Sequence, residues 1–528
     1  MKKRNYNIQA ISAIFVISTP HVAIAQTDGE ADKCDISDHI TYMYEAQTSA
    51  SSGKTPLWLN ANKYGLSSLD EANGYVRVAM EKPLLTDSAH ALGLGYGFDV
   101  ALLGNYTSTV AIQQAFVEGR WLHGVLTVGS KYYPMELKNS QLSSGSQTLG
   151  INARPIPQVR LALPDYWTLP FAGRLFHIKG HIAYGKMTDD NWQHSFTGRT
   201  SKYSDDVLYH SKAGYIMVGK PEQPRSLTLE VGLEMATQFG GTNHEFINGT
   251  ETIVKGNTGI GGFFKVLFPG GSDSPYQGTV YESVEGNTVG SWVGRLTYNH
   301  DTWSLAAYID KFFEDHSAMF LLDYDGYGTG DEWNVKKDNK YLLYDFGDCL
   351  VGLELKLKNC TLLRGVVAEY ITTKYQSGSI YHDRTESNQV HIGGKDNYYN
   401  HHIYPGWQHW GMVMGNPLYR SPIYNDDGQV NCQNNRFTAY HLGFNGSVTP
   451  CVDYRVLATY QEGWGTYNFP FNKKRTNTSV MVEAVYNHRH DWMITTALGM
   501  DTGRLIGNNF GLQLTFRKTG LWGKKKTE

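Results

Sequence analysis

Residues 226–236 read Ser-Leu-Thr-Leu-Glu-Val-Gly-Leu-Glu-Met-Ala, and the fold turns on how that stretch is read. Leu227, Leu229, Val231, Leu233 and Met235 alternate with Ser226, Thr228, Glu230, Gly232 and Glu234. Successive side chains of a strand point to opposite faces, so the stretch is a strand with one apolar face and one polar, charged face. The same beat runs through residues 176–184, where Phe176, Ile178, Ile182 and Tyr184 oppose His177, Lys179 and His181. In residues 75–82, Val76, Val78 and Met80 oppose Arg77 and Glu81, and the pattern returns in residues 349–358, 453–460, 480–487 and 510–517.

Alternation alone does not say which face is inside. A soluble sandwich buries its apolar face, whereas an outer-membrane barrel turns that face to lipid. Three features favour the barrel. Lys2, Lys3 and Arg4 precede an apolar run over residues 8–17 and the small-x-small triplet Ala23-Ile24-Ala25, the pattern of a cleaved secretory signal peptide at residues 1–25. The alternating segments repeat at a length near that of a membrane strand, and aromatic residues such as Tyr184, Tyr460 and Trp522 stand at segment ends. Beyond the signal, no apolar run approaches the roughly 20 residues of a membrane helix. The expected fold is therefore all-β, a single transmembrane outer-membrane β-barrel over residues 26–528. Composition agrees, with 35 Tyr, 56 Gly and only 18% charged residues, and no Pro/Gly/Ser-rich linker divides the chain.

At about 10 residues per strand plus turns, the mature length allows roughly 16 to 22 antiparallel strands. Loss of the signal removes three cationic and no anionic side chains, taking the net charge from −3 to −6. That balance is too mild to point to nucleic acid. Five cysteines are too few for a disulfide scaffold; a Cys349–Cys360 pairing across a hairpin is open, and the odd count leaves at least one thiol over.

Some regions break the beat. Residues 26–69 are expected outside the wall, as a plug or a periplasmic piece, and residues 301–348 and 372–437 are expected as long extracellular loops, each able to fold inward instead. Within the last lies DNYYNHHIYPGWQHWGMVMGNPLYRSPIY, residues 396–424, with seven Tyr or Trp, three His and a single acid. Aromatic faces pack on the C–H faces of sugars, and Asn and His take hydroxyl hydrogen bonds, so the stretch suits a polysaccharide. Tyr398, Tyr399, Trp407 and Trp410 are the candidate platforms, Asn400, His402 and His409 the hydroxyl partners, and Arg420 the partner of a uronate carboxylate. The competing reading is a loop that packs on its own aromatics.

Other chemistry has less support. Glu314 and Asp315 adjoin His316 and Ser317, but adjacent strand residues point oppositely, and a glycosidase needs two facing carboxylates. His401, His402 and His409 lack the accompanying ligands of a metal site, and Asp323, Asp325, Asp331 and Glu332 lack the full spacing of a calcium loop. The glycine-rich residues 256–262 lead into Phe263–Phe268, which reads as strand rather than as the helix of a phosphate-binding loop. No catalytic residue, cofactor or metal is assigned. The alternative function is a pore or transporter, its path lined by His177, Lys179, His181, Glu230 and Glu234.

Four strings carry a family resemblance: Ala-Arg-Pro-Ile-Pro-Gln-Val-Arg at 153–160, Phe-Phe-Glu-Asp-His-Ser-Ala-Met-Phe at 312–320, Ala-Glu-Tyr-Ile-Thr-Thr-Lys-Tyr-Gln-Ser-Gly at 368–378, and residues 396–424. In order and over most of the mature chain, they resemble the Wzi family of capsule assembly proteins, in the branch found in Bacteroidetes. The resemblance implies an outer-membrane barrel of about 18 strands with short helical or irregular plug segments. It implies a lectin that helps hold capsular polysaccharide at the cell surface, with outer-membrane lipid and the polysaccharide export machinery as further partners. It transfers no sugar-binding residue. Many barrels end on a terminal aromatic; here Trp522 is followed by Gly-Lys-Lys-Lys-Thr-Glu, so the final strand is expected to stop near Trp522.

N-terminal sequencing of the protein from outer membranes should begin at Gln26; a chain that still carries Met1 would overturn the signal-peptide reading.

Overall fold

The computed structural model describes residues 40–84, 92–247, 249–268, 286–314, 347–381, 392–488 and 491–522. Eighteen strands pair side by side in chain order. They begin with β1 Ile40–Ser52, β2 Ala72–Lys82, β3 Leu92–Gly104, β4 Val110–Trp121, β5 Gly124–Ser130 and β6 Gln158–Thr168. β7 Phe176–Lys186, β8 Leu208–Val218, β9 Ser226–Phe239, β10 Asn287–Asn299, β11 Trp303–Glu314 and β12 Cys349–Leu357 follow. β13 Gly365–Thr372, β14 Phe437–Thr449, β15 Val452–Gly465, β16 Pro470–His488, β17 Trp492–Gly503 and β18 Asn509–Trp522 complete the wall. β1 pairs antiparallel with β18 through Ile40 and Trp522, and through Ser52 and Phe510, so the sheet closes on itself.

Burial settles the question of faces. On β9, Leu227, Leu229 and Val231 are 58%, 45% and 44% exposed, while Thr228 and Glu234 are buried. The apolar face is thus outside and the polar face inside, the arrangement of a barrel in lipid. No described helix is long and apolar enough to cross a membrane; strands do the crossing.

Ile40, where the first strand begins, and Trp522 on the last strand share one end of the barrel with short connections such as residues 122–123, 300–302 and 450–451. The opposite end carries residues 53–71, 131–157, 187–207, 373–381 and 392–436. Short turns are periplasmic and long connections extracellular in such barrels, which orients this one.

Four expectations are corrected. Residues 26–69 do not form one segment outside the wall: 40–52 is strand β1, 53–71 turns into the lumen, and 26–39 lie outside the described residues. Residues 303–314 are wall, not loop; Tyr308, Asp310 and Phe312 point inward onto luminal chain, so their face looks less polar than a water-filled lumen demands. Cys349 and Cys360 lie at opposite ends of the nine-residue β12, about 30 Å at 3.3 Å per residue, so they do not pair. Phe263–Phe268 is not a strand. It belongs largely to an amphipathic helix, Ile260–Leu267, with Ile260, Phe264 and Phe268 stacked along one side at every fourth residue.

An ion network crosses the closing seam on the inner wall. Glu45 of β1 pairs with Arg517 of β18 at 2.8 Å and with Arg77 of β2 at 3.3 Å, and the Tyr75 hydroxyl donates to it at 2.5 Å. Arg77 reaches on to Asp99 of β3 at 2.6 Å. Glu45→Ala leaves two inward guanidiniums without their shared anion, and we expect a loss of about 3–5 kcal/mol. Heat-modifiable gel mobility will report it as a lower transition temperature, and an unchanged transition would show the seam to be independent of this network.

Candidate functional site

Three connections from the long-loop end turn back into the barrel, and the inner wall supplies what their polar groups need. Residues 53–71 carry one helical turn, Leu57–Asn60. There the Leu57 N–H donates to Asp501 at 3.1 Å and the Trp58 indole donates to Thr459 at 3.2 Å. Residues 131–157 cross the lumen onto carboxylates of the opposite wall. The Ser143 hydroxyl and Ser144 N–H donate to Glu369 at 2.6 and 2.8 Å, and the Gln147 N–H donates to Asp310 at 3.0 Å. Lys138 pairs with the same Asp310 at 2.8 Å, and Asn139 donates to Glu354 at 2.9 Å. An uncapped backbone N–H or an unpaired charge at such depth is costly, which is why acids stand at these inward positions.

Residues 396–436 complete the plug. Phe312 from the wall meets Tyr398 and Tyr399 edge-on at 4.8 and 5.5 Å, and Tyr399 lies 4.0 Å from Tyr419. The Tyr399 hydroxyl donates to the Gln147 carbonyl, Asn152 donates to the Val413 carbonyl at 2.9 Å, and Asn416 donates to the Gly145 carbonyl at 2.9 Å. Tyr399 N–H is held by Glu314 at 2.6 Å, so Glu314 caps the plug backbone. Asp315, His316, Ser317 and the acidic residues 323–332 lie outside the described residues. Among the described residues, no group of three or more His, Cys, Asp or Glu is arranged to hold a metal ion.

The eight candidate residues divide accordingly. Tyr398, Tyr399, Trp407 and His409 are buried in the plug, which corrects the expectation of open platforms and hydroxyl partners: their faces are taken by Phe312, Tyr209, Tyr419 and Arg154. Asn400 is half-buried and exchanges hydrogen bonds with the backbone of Cys432, donating to its carbonyl at 2.9 Å and accepting from its N–H at 2.8 Å. His402 is exposed. Trp410 is half-exposed with the Arg154 guanidinium 4.1 Å over its ring, and Arg420 is half-exposed and donates to the Tyr424 carbonyl at 2.6 Å. The proposed pore lining is also engaged: Lys179 pairs with plug Glu136 at 2.5 Å, and Glu234 accepts from Ser146 at 3.4 Å and from Tyr215 at 2.8 Å. His177 bonds Thr168 and the Gly219 carbonyl, both at 2.9 Å, His181 bonds Ser211 at 3.1 Å, and Glu230 accepts from Tyr166 at 2.9 Å.

Two features escape the sequence reading. At the outer rim, Arg436 stacks 3.8 Å from the Tyr467 ring, Arg475 4.0 Å from Phe471 and Lys374 4.8 Å from Trp464. Beneath the plug, a cavity of about 440 Å³ is walled by β4 to β8 and reaches Pro83, Leu84 and Asp165 at the periplasmic end. Tyr64, Tyr133, Tyr209, Tyr215, Arg154 and Arg160 line it; the sequence signal was the string at 153–160, which holds both arginines.

Fold and filled lumen together define the class, an outer-membrane β-barrel whose interior is packed with its own chain. No family model and no curated protein matches the sequence. Among solved structures, the barrel is similar to Wzi, an outer membrane protein involved in group 1 capsule assembly in Escherichia coli and a carbohydrate-binding β-barrel. The TM-score is 0.51 at 10% identity, over 90% of this chain and 83% of that one. It is also similar to OccK10 of Pseudomonas aeruginosa, with a TM-score of 0.43 at 9% identity over 92% of this chain and 99% of that one. OccAB4 of Acinetobacter baumannii gives 0.41 at 9% identity, with 92% and 99% covered. At 10% identity the first likeness bears on the fold alone, and the other two fall too low to add to it.

The Thr188 N–H donates to His409 Nε2 at 3.1 Å, which leaves Nδ1–H to donate to the Arg154 carbonyl at 2.9 Å and keeps the ring neutral. Burial pushes its pKa from 6.5 down to about 4. A released plug takes up this proton at the ordinary value, so docking is at full strength above pH 6.5 and weakens as pH falls toward 4. Proteolysis within residues 396–436 should rise across that window, and less so in His409→Gln; identical profiles would exclude His409. Trp407→Ala should cost about 3–5 kcal/mol of plug stability. Trp410→Ala, at the half-exposed ring, should cost much less; equal losses in the same protease assay would overturn the packing difference.

Proposed function

We propose that this chain is a non-enzymatic outer-membrane barrel that binds capsular or other surface polysaccharide at its extracellular end and helps attach the capsule to the cell. The plug carries the reading: with three connections hydrogen-bonded to one another and to the wall, the lumen serves as a rigid core and the end faces are left as working surfaces. The outer end offers groups that suit an acidic polymer. Trp410 gives a partly open ring, Arg420 and His402 give donors, and the rim adds Arg436, Arg475 and Lys374 on aromatic supports. Single contacts of this kind are weak, but one long polymer touching many barrels is held by multivalency. The fold shared with a carbohydrate-binding barrel is consistent with this reading.

Two measurements test it. In planar bilayers the protein should show no steady conductance; a stable large conductance would favour a pore instead. In encapsulated cells, a Trp410→Ala, Arg420→Ala, Arg475→Ala chain at equal barrel levels should shed several-fold more capsule than the parent. Unchanged retention would remove the outer face from the proposal.

A further inference from the structure

We propose that the cavity beneath the plug is a second binding site, open to the periplasm, for a saccharide bearing a carboxylate or phosphate group. The cavity falls within the roughly 300–1,000 Å³ usual for small-molecule sites. Its ionic groups are unequally satisfied. Lys131 holds Glu118 at 2.6 Å and Arg120 meets Asp165 at 3.4 Å, whereas Arg154 and Arg160 have no carboxylate partner among the described residues. Arg154 is only 5% exposed, and among the described residues its Nε has no hydrogen-bond partner; its Nη2 donates to Thr107 at 3.2 Å and its guanidinium lies 4.1 Å over the Trp410 ring. Arg160 Nε is likewise without a partner, and its guanidinium is fixed 3.9 Å from the Tyr133 ring. A planar cation held flat by a tyrosine presents its donor edge to a bidentate oxyanion. The tyrosines beside it supply the faces on which a sugar ring packs. The cavity reaches the periplasmic end and shares only Arg154, which stacks on Trp410, with the outer face, so Arg160 tests it apart from polymer held outside.

The test is calorimetry on the detergent-solubilised protein with three ligands: digalacturonate, glucose 1-phosphate and neutral maltose. At least one acidic ligand should bind tenfold or more tightly than maltose, and the preferred acid identifies carboxylate or phosphate as the source. Arg160→Gln should weaken that acid at least tenfold and leave maltose unchanged, with heat-modifiable mobility confirming an intact barrel; Arg154→Gln should act in the same direction. Equal binding of the three, binding of none, or an Arg160→Gln chain with unaltered preference would each overturn the site.

We also infer that the helix Ile260–Leu267 lies in the outer leaflet, its apolar side among lipid acyl chains. β8 turns Tyr209, Ser211 and Tyr215 to the cavity, so Lys212 between them points out of the barrel, a costly place for an ammonium. The helix resolves this: Lys212 donates to the Val266 and Leu267 carbonyls at 2.8 and 2.5 Å, at the helix's negative end. The Tyr184 hydroxyl donates to the Phe263 carbonyl at 2.8 Å, and Phe263 packs on Tyr184 and Phe239 at 5.2 and 5.3 Å. Clamped thus to the lipid side of the wall, the helix leaves Ile260, Phe264 and Phe268 at 78%, 63% and 72% exposure, continuous with the apolar band. p-Benzoylphenylalanine placed at position 264 and irradiated in cells should yield lipid adducts, and the same group at Asp189 should not. Adducts to protein alone, or none at position 264, would overturn the placement.

Discussion

A strand that shows its apolar side chains to lipid leaves only its polar face for the interior, and whatever fills this barrel must answer to that wall. Where a soluble protein fills its interior from the apolar faces of its strands, this one fills it with connections whose Leu57, Trp58, Leu142, Trp407 and Leu418 cluster with Phe312 of the wall. The inward carboxylates Asp310, Glu354 and Glu369 are what make the filling stable. Each accepts from a donor on residues 131–157 that would otherwise be stranded without water. Removing such an acid therefore matters in two places at once, the wall and the plug.

The plug has its own order of dependence. Residues 131–157 lie against the wall acids, and residues 396–436 lie largely on residues 131–157, through Gln147, Asn152 and Gly145. The aromatic cluster around Phe312, Tyr399 and Tyr419 then sits where the wall and both segments meet. Such a nested arrangement favours release of the last layer before the first, and His409 belongs to that last layer.

The wall was legible in the sequence because lipid imposes one uniform demand, and a uniform demand leaves a clean period of two in stretches such as 226–236 and 510–517. The final strand is described as far as Trp522, and the residues beyond it lie outside the described ones. The plug was not legible. Tyr, Trp, Asn and His serve a sugar surface and a hydrogen-bonded interior equally well, and what separates the two here is Glu314 and Gln147, far away in sequence. β11 was missed because Phe312 faces inward onto tyrosines while Phe313, facing outward, is also covered. Of the candidate site, the partly open Trp410, Arg420 and His402 belong to a surface, while their four buried neighbours belong to the packing that holds that surface in place.

Cys432 lies wholly buried in the plug as a free thiol, with burial pushing its pKa upward, while Cys360 and Cys451 are exposed free thiols at the periplasmic end. A thiol in that state is nearly inert until the segment around it opens. The chain thus carries a native clock: the rate at which Cys432 becomes alkylated counts the excursions of residues 396–436 out of the lumen, with two fast-reacting thiols on the same molecule as its internal standard.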